Sequence, residues 1–432
     1  MKKNRIHFIG IGGIGLSSLA AYFLAKGDEV RGTDLVSSEI TARLKKQGAV
    51  LTIGKHLASN IKKETTFVVY SPAITTDNPE LKKARKEGIK TLSYPEALGE
   101  LTKKYFTIAV SGTHGKSTTT AMLALIMIRA GLDPTVIIGT KLKEFGNSNF
   151  RFGKSKYLLI EADEYQASFL NYWPQIIVAT NIDNDHLDYY GSFSKVVKSF
   201  QKYFNKISAD GQIVANGDDP NLTKILSPKK RVNYFSLKKK PASLVLKVPG
   251  EYNLLNGLAA LETARLLGIK DNQSFQSLLA YNGSWRRFEI FKLKNKKLTL
   301  ISDYGHHPTE IRVTLRATRE KYPNQRIICL FQPHQQKRTF YLFDDFVRVL
   351  KEAPVELIIL LPIYDVAGRE ERGIRVDSGK LALAVGSKAL YLKTNDLLKY
   401  LLKNLKEKDI LIFMGAGDIY NLFLKIKKRL MD

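Results

Sequence analysis

The sequence predicts an α/β protein with mainly parallel sheets, divided into three domains. Two observations carry that expectation. Short apolar runs alternate with helix-like segments along the whole chain, the pattern of repeated strand–helix–strand units. Two of these runs end in glycine-rich turns that lead directly into helices. In parallel sheets, ligands sit at such turns beyond the carboxyl ends of the strands. The length, 432 residues, suits two or three domains with their own cores.

In chain order the strand-like runs include "RIHFIGI", "TFVVYSPAI", "YFTIAVSG", "KYLLIEAD", "QIIVATNI", "QRIICLFQP", "VELIILLPI" and "DILIFMGAG". Each of three blocks starts afresh with a strand. Residues 1–103 open with the first glycine turn and residues 104–284 with the second. Residues 285–432 begin at "WRRFEIF".

Composition narrows the function classes. Apolar residues make up 44%, an ordinary globular value. The single cysteine, Cys329, excludes an intramolecular disulfide and a cysteine-rich metal cage, and suits a reducing cytoplasm. The first 25 residues set basic side chains before an apolar run, as a signal peptide does. However, Gly10, Gly12, Gly13 and Gly15 interrupt that run where a strand–turn–helix needs them, and no apolar stretch reaches the ~18 residues of a membrane span. Net charge is +27, which favours anionic partners. The charge is scattered over "SPKKR", "LKKKP", "KLKNKK" and "KIKKRL" without interleaved aromatics. The expectation is a solvated basic surface, with neither nucleic acid nor membrane as partner.

The first turn, "FIGIGGIGLSSLAAYF", places Gly10, Gly12 and Gly15 in the G-x-G-x-x-G pattern, and Asp34 ends the next strand. That is the dinucleotide fingerprint: glycines admit a diphosphate to a helix N-terminus, and the acid meets a ribose. Read locally, it suggests NAD and an oxidoreductase, although the pattern specifies a diphosphate better than it specifies nicotinamide.

The second turn, "AVSGTHGKSTTTAML", departs from the usual phosphate loop, because Val110 stands where that pattern has glycine and His114 lies inside. Its context is still a strand, a turn and a long helix. Backbone N–H groups from Gly112 to Ser117 would cradle phosphate, Lys116 would neutralise β/γ charge, and the Ser117 hydroxyl would ligate Mg²⁺. "YLLIEADEYQ" adds Glu161, Asp163 and Glu164 at a strand end, and "VATNIDNDHLDYYGS" adds Asn181, Asp183, Asp185 and His186. Carboxylates beside a phosphate loop suit Mg²⁺. The residues alone therefore reach an ATP- and Mg²⁺-using enzyme with a second diphosphate site.

The strings "GIGGIG", "SGTHGKST", "EADEY", "TNIDNDHLDYYGS", "YNLLNGLAA", "WRRFE", "SDYGHHPTEI", "FQPH" and "MGAGDI" occur in the order of the Mur ligases. The chain resembles that family over nearly its whole length. Its "GIGGIG" turn and "FQPH" loop resemble the branch that joins L-alanine to UDP-N-acetylmuramate more than the branch that recycles a murein tripeptide.

The resemblance implies a Rossmann-like N-terminal domain for the UDP-sugar, a central P-loop-type ATPase domain and a C-terminal Rossmann-like domain that closes over ATP and amino acid about a hinge near 284–290. It reassigns the first diphosphate from NAD to UDP, with Gly10, Gly12, Gly13, Gly15, Asp34 and Ser71 on that side. Gly112, Thr113, His114, Gly115, Lys116, Ser117, Thr118, Asn253, Asn256, Arg287 and Asp303 are assigned to ATP. Ser117, Glu161 and His186 are assigned to Mg²⁺. Lys116, Glu161, His186, Arg287 and Asp303 are the implied catalytic set, and His307, His334 and Arg338 the amino-acid side.

The implied reaction is ATP-dependent ligation through an acyl phosphate, in peptidoglycan precursor synthesis, by a cytoplasmic monomer or dimer. Three positions depart from the family. Tyr252 replaces the histidine before Asn253, Gln335 replaces an arginine usual in the alanine-adding branch, and "EADEYQASF" differs from a commoner Ser-Asp version. The amino acid thus stays open among L-alanine, serine and glycine.

Overall fold

The computed structural model describes residues 3–226, 231–365 and 376–431. Three sheets are present among them. The first is built from β1 (Arg5–Ile9), β2 (Glu29–Asp34), β3 (Val50–Ile53), β4 (Phe67–Tyr70) and β5 (Lys90–Ser93). Its order is β3-β2-β1-β4-β5 and every pair is parallel. The second contains β6 (Phe106–Ser111), β7 (Thr135–Leu142), β8 (Ser148–Arg151), β9 (Tyr157–Ala162), β10 (Ile176–Ala179), β11 (Gln212–Asn216) and β12 (Arg231–Phe235). Its order is β12-β11-β10-β6-β9-β7-β8, and only β8 runs antiparallel. The third contains β13 (Glu289–Leu293), β14 (Leu298–Asp303), β15 (Ile327–Phe331), β16 (Leu357–Leu360), β17 (Ala389–Tyr391) and β18 (Ile410–Met414). Its order is β13-β14-β18-β15-β16-β17, with β13 antiparallel. The α/β class with parallel-dominated sheets is as the alternating runs require.

The central strands are buried on both faces, which is why they read as unbroken apolar runs rather than alternations. All residues of β10, β15 and β18 are buried. Helix Lys116–Arg129, which follows the second glycine turn, is buried nearly all round and packs on β6, β7 and β9.

The chain forms two compact units. Residues 1–182, 196–240 and 257–277 make the first, which holds the first two sheets together. Residues 183–195, 241–256 and 278–432 make the second, around the third sheet. Two stretches that the strand pattern assigns to the central block, 183–195 and 241–256, thus belong with the third sheet.

Within the first unit a buried polar junction joins the two sheets' elements. Asn149 of β8 donates to the Ile14 carbonyl, in the first turn of helix Ile14–Ala25, and to Ser18 Oγ, while Ser18 Oγ donates back to the Asn149 carbonyl at 3.2 Å. Arg43 donates to Asn147 O at 2.8 Å and to Asn149 Oδ1 at 3.2 Å.

Candidate functional site

The first glycine turn lies at the switch point of its sheet, between the ends of β1 and β4. The Gly10 and Ile11 amides both donate to Thr33 O, at 2.8 and 3.0 Å. Ser71, just past β4, donates its own amide to Ile9 O at 3.0 Å, and its Cβ lies 3.2 Å from where a Gly10 Cβ would be. Gly13 caps helix Ile14–Ala25 with no side-chain partner, and Gly15 lies in the helix's first turn. Asp34 Oδ2 accepts from Gly12 N at 2.7 Å, and Oδ1 accepts from Val36 N at 3.2 Å. The acid that the dinucleotide fingerprint sends to a ribose is here a brace of the turn. Gly10, Gly12, Gly13, Gly15, Asp34 and Ser71 are brought together.

The second turn is set by the strand beside it. β10 pairs with β6, and the residues just past β10 hold the loop. Thr113 N donates to Asn181 O at 3.1 Å and His114 N to Asn181 Oδ1 at 2.9 Å. The His114 carbonyl in turn accepts from Thr180 Oγ1 at 2.6 Å and Asn181 Nδ2 at 3.0 Å. Gly112 has φ +132°, and a Cβ there would fall 2.0 Å from Thr180 Oγ1, so no side chain fits. Within the expected cradle from Gly112 to Ser117, the Thr113 and His114 amides donate to Asn181. The helix N-terminal amides from Gly115 to Ser117 remain to face an anion, with Thr118 buried behind them. Asn181 and Thr180 are the braces that local sequence did not reveal.

Lys116 Nζ donates to Gly112 O at 2.8 Å, to Thr113 O at 3.2 Å and to Glu164 Oε2 at 2.6 Å, with Asp163 Oδ1 at 3.6 Å. Burial alone would lower this ammonium, but Glu164 and Asp163 hold it above the ordinary lysine value. Glu164 is itself buried. It opens a turn in which Gln166 (φ 52°) and Ala167 (φ 54°) are both left-handed. That conformation costs ~1–2 kcal/mol for each L residue. Phe169, stacked on Tyr203 at 4.5 Å between ring centroids, anchors the far side of the turn.

Glu161 meets Ser117. Its Oε2 accepts the Ser117 hydroxyl at 3.1 Å and its Oε1 accepts Gly139 N at 2.6 Å. A Cβ on Gly139 would lie 2.9 Å from Oε2, so glycine keeps room beside the carboxylate. A hydroxyl and a carboxylate oxygen side by side are the hard donors that Mg²⁺ takes, and these residues fit the ion. His186, assigned to the same ion by resemblance, belongs to the second unit.

In the second unit the "RRFE", "DYGHHP", "FQPH" and "MGAGDI" strings gather around the carboxyl ends of β14, β18 and β15. Arg287 lies over the Tyr304 ring at 4.8 Å, and Arg286 lies over the same ring at 4.8 Å. Arg286, which sequence reasoning missed, is buried and donates to the Gly415 and Gly417 carbonyls. Arg286 (φ 55°) and Phe288 (φ 52°) are left-handed, so the segment expected to hinge carries backbone strain. Asp303 accepts from Phe288 N and Gly305 N, both at 2.8 Å, and burial pushes its carboxyl up. It braces this segment. Gln332 ties "FQPH" to "MGAGDI", through Asp418 Oδ1 at 2.7 Å and Ile419 N at 3.1 Å.

Arg338 pairs with buried Asp185 at 3.1 Å and lies 3.4 Å from His334 Nδ1. Against its burial, Asp185 is held well below the usual carboxylate range by Arg338 and the neighbouring histidines. His334 stacks on Tyr364, centroids 5.8 Å apart, and faces His306 at 5.7 Å. Burial, reinforced by Arg338, pushes His306 down to about 3. His307 caps helix Pro308–Lys321 through Thr309 N and reaches Asn184 O at 3.2 Å, so both its ring nitrogens have backbone partners.

Asn253 and Asn256 sit buried one turn apart on helix Glu251–Leu266, and Asn253 Nδ2 donates to Pro249 O at 2.7 Å. Tyr252, in place of the expected histidine, packs against the core of the third sheet. Gln335, at φ 68°, donates its amide to Tyr364 O at 2.8 Å.

Comparison with known proteins covers nearly all of the chain. Residues 5–106 match the family model "Mur ligase family, catalytic domain", residues 110–247 "Mur ligase middle domain", and residues 286–417 "Mur ligase, glutamate ligase domain". The UDP-N-acetylmuramate–L-alanine ligase of Clostridium botulinum strain Hall is 39% identical, covering 97% of this chain and 96% of its own. That of Clostridium tetani is 40% identical, covering 98% of each. Among solved structures, the UDP-N-acetylmuramate–alanine ligase of Thermotoga maritima aligns with a TM-score of 0.82 at 28% identity over 98% of each chain. A murein peptide ligase of Psychrobacter arcticus shares the fold, with a TM-score of 0.71 at 21% identity over 99% of each chain.

Proposed function

The chain belongs to the Mur ligase family, and from that premise we propose that it joins L-alanine to UDP-N-acetylmuramate at the expense of ATP, making a peptidoglycan precursor. The observation that carries this reading is the pairing of two strand–turn–helix sites in one compact unit. One turn suits a sugar-linked diphosphate. The other ends in Gly-Lys-Ser with Ser117 against Glu161. A hydride-transferring enzyme has no use for the second site.

In the proposed assignment, residues 1–103 bind the UDP-sugar, 104–284 bind ATP and 285–432 complete the site. Gly10–Gly13 would hold the UDP diphosphate. The helix amides from Gly115 to Ser117 and Lys116 would take the β- and γ-phosphates, stabilising charge that spreads on the transferred phosphoryl group. Ser117 and Glu161, with His186 assigned alongside, would hold Mg²⁺, which when bound supplies countercharge to the phosphates. The sugar's carboxylate takes the γ-phosphoryl group and ADP leaves. The amine of L-alanine then attacks the acyl carbon, loses a proton, and phosphate departs. Asn253, Asn256, Arg287 and Asp303 are assigned to the nucleotide side, Asp303 by bracing the strained segment. His334 and Arg338 are assigned to the amino acid, with Asp185 holding Arg338.

A second reading within the family is the tripeptide-recycling ligase, whose fold the chain shares. The full-length relatives near 40% identity favour the alanine ligase. ADP release with UDP-N-acetylmuramate against L-alanine, serine, glycine and the tripeptide separates these. The proposal expects release with L-alanine. Release with the tripeptide alone would replace it with the recycling reaction.

A further inference from the structure

The ammonium of Lys116 has three N–H donors and three acceptors, Gly112 O, Thr113 O and Glu164 Oε2. The shortest of these contacts is to a carboxylate that is 2% exposed, while the Lys116 side chain is 15% exposed. If Lys116 serves the β- and γ-phosphates, as the proposed function has it, it must release one of these partners when nucleotide arrives. The carbonyls of Gly112 and Thr113 belong to the loop itself. Glu164 comes from past the end of another strand, β9; burial pushes its carboxyl up to about 8, the Lys116 ammonium at 2.6 Å pulls against that, and the carboxylate so paired has the same sign of charge as the incoming phosphate.

We propose that Glu164 is a positioning residue that holds Lys116 in the nucleotide-free enzyme, standing in for a phosphate oxygen, and that a nucleotide carrying β- and γ-phosphates must displace it. Two further observations fit. The turn behind Glu164 is strained at Gln166 and Ala167, so it is held by its surroundings rather than by its own backbone preference. Asp163, the neighbouring carboxylate, is 55% exposed and 3.6 Å from Nζ, so it is a weaker partner of the lysine. Displacing Glu164 breaks a buried ion pair and sets a carboxylate facing a phosphate, both unfavourable. The cost falls only on nucleotides long enough to reach Lys116.

The test measures affinity of the full chain by calorimetry, without sugar or amino acid, for AMP and for an ATP analogue with a β–γ methylene bridge. Glu164→Gln, which keeps the shape and removes the charge, should bind the analogue roughly tenfold tighter or more and AMP as the unaltered chain does. Glu164→Asp, which keeps the carboxylate, should return most of the way to the original affinity. Unchanged or weaker binding of the analogue by a folded Glu164→Gln variant overturns the proposal, since a residue that merely supports the fold would give that result. If that variant does not fold, Glu164→Ala takes its place and must bind the analogue tighter than the unaltered chain while binding AMP equally; equal or weaker binding of the analogue there overturns the proposal too. An unaltered chain that binds neither nucleotide would instead sink the ATP reading on which this rests.

Discussion

At the residue scale, the chemistry concentrates on a few side chains whose neighbours set their state. Lys116 is kept charged by Glu164 and Asp163 and held in the loop by two carbonyls. Lys116→Ala should leave UDP-sugar affinity intact and cut turnover by at least ~10²–10³, the loss typical of one transition-state donor; steady-state kinetics with a separate sugar-binding titration reads both. Glu161→Ala removes the carboxylate that faces Ser117 and should shift the Mg²⁺ titration of activity to higher concentration. An unmoved titration would count against its place in the ion's shell.

His306 offers a stability test. Its folded value of about 3 lies below the ordinary 6.5, so the unfolded chain takes a proton that the folded state refuses. Stability present above pH ~6.5 is therefore lost as pH falls, by about 2 kcal/mol at pH 5. Arg338, Glu310, Asp185 and His334 all bear on this ring. His306→Gln should shrink the difference in unfolding free energy between pH 7 and pH 5, measured by denaturant titration. An equal difference would place the acid sensitivity elsewhere. Lys116, Ser117, Glu161 and Arg287 were legible because each sits inside a short string with its own chemistry. Glu164 stood out only as one of three strand-end carboxylates, and Arg286 and Gln332 stood in their strings unmarked, because what distinguishes each is a partner far away in sequence.

At the element scale, both strand–turn–helix sites were legible, since glycine placement after an apolar run is a local signal. Their bracing was not. The loop at 112–117 is held by Thr180 and Asn181 because β10 lies beside β6, and that neighbour relation spans some sixty residues of intervening chain. The same limit hid the junction at β8. Asn149 serves the carbonyl that follows the first glycine turn, while β7, its hairpin partner, carries Gly139 against Glu161. Asn149→Ala removes the amide that bridges Ile14 O, Ser18 Oγ and Arg43, and should lower stability by ~1–3 kcal/mol. A denaturation midpoint equal to that of the unaltered chain would show that the junction adds nothing to the fold.

At the scale of the whole molecule, the α/β class and three sheets followed from alternating runs and two glycine turns. The two compact units did not. Segments 183–195 and 241–256 join the third sheet through contacts such as Thr309 Oγ1 to Asp183 Oδ2 at 2.7 Å and Tyr252 against that sheet's core. Strand periodicity marks where a sheet begins and cannot say which sheet a connecting loop adheres to. None of the helices among the described residues is long and apolar enough to cross a membrane. The account depends on activation of the sugar's acid by phosphate before an amine captures it. The direct measurement uses UDP-N-acetylmuramate labelled with ¹⁸O in its lactyl carboxylate, turned over with ATP and L-alanine. One labelled oxygen should appear in each inorganic phosphate released; phosphate free of label would contradict the mechanism outright.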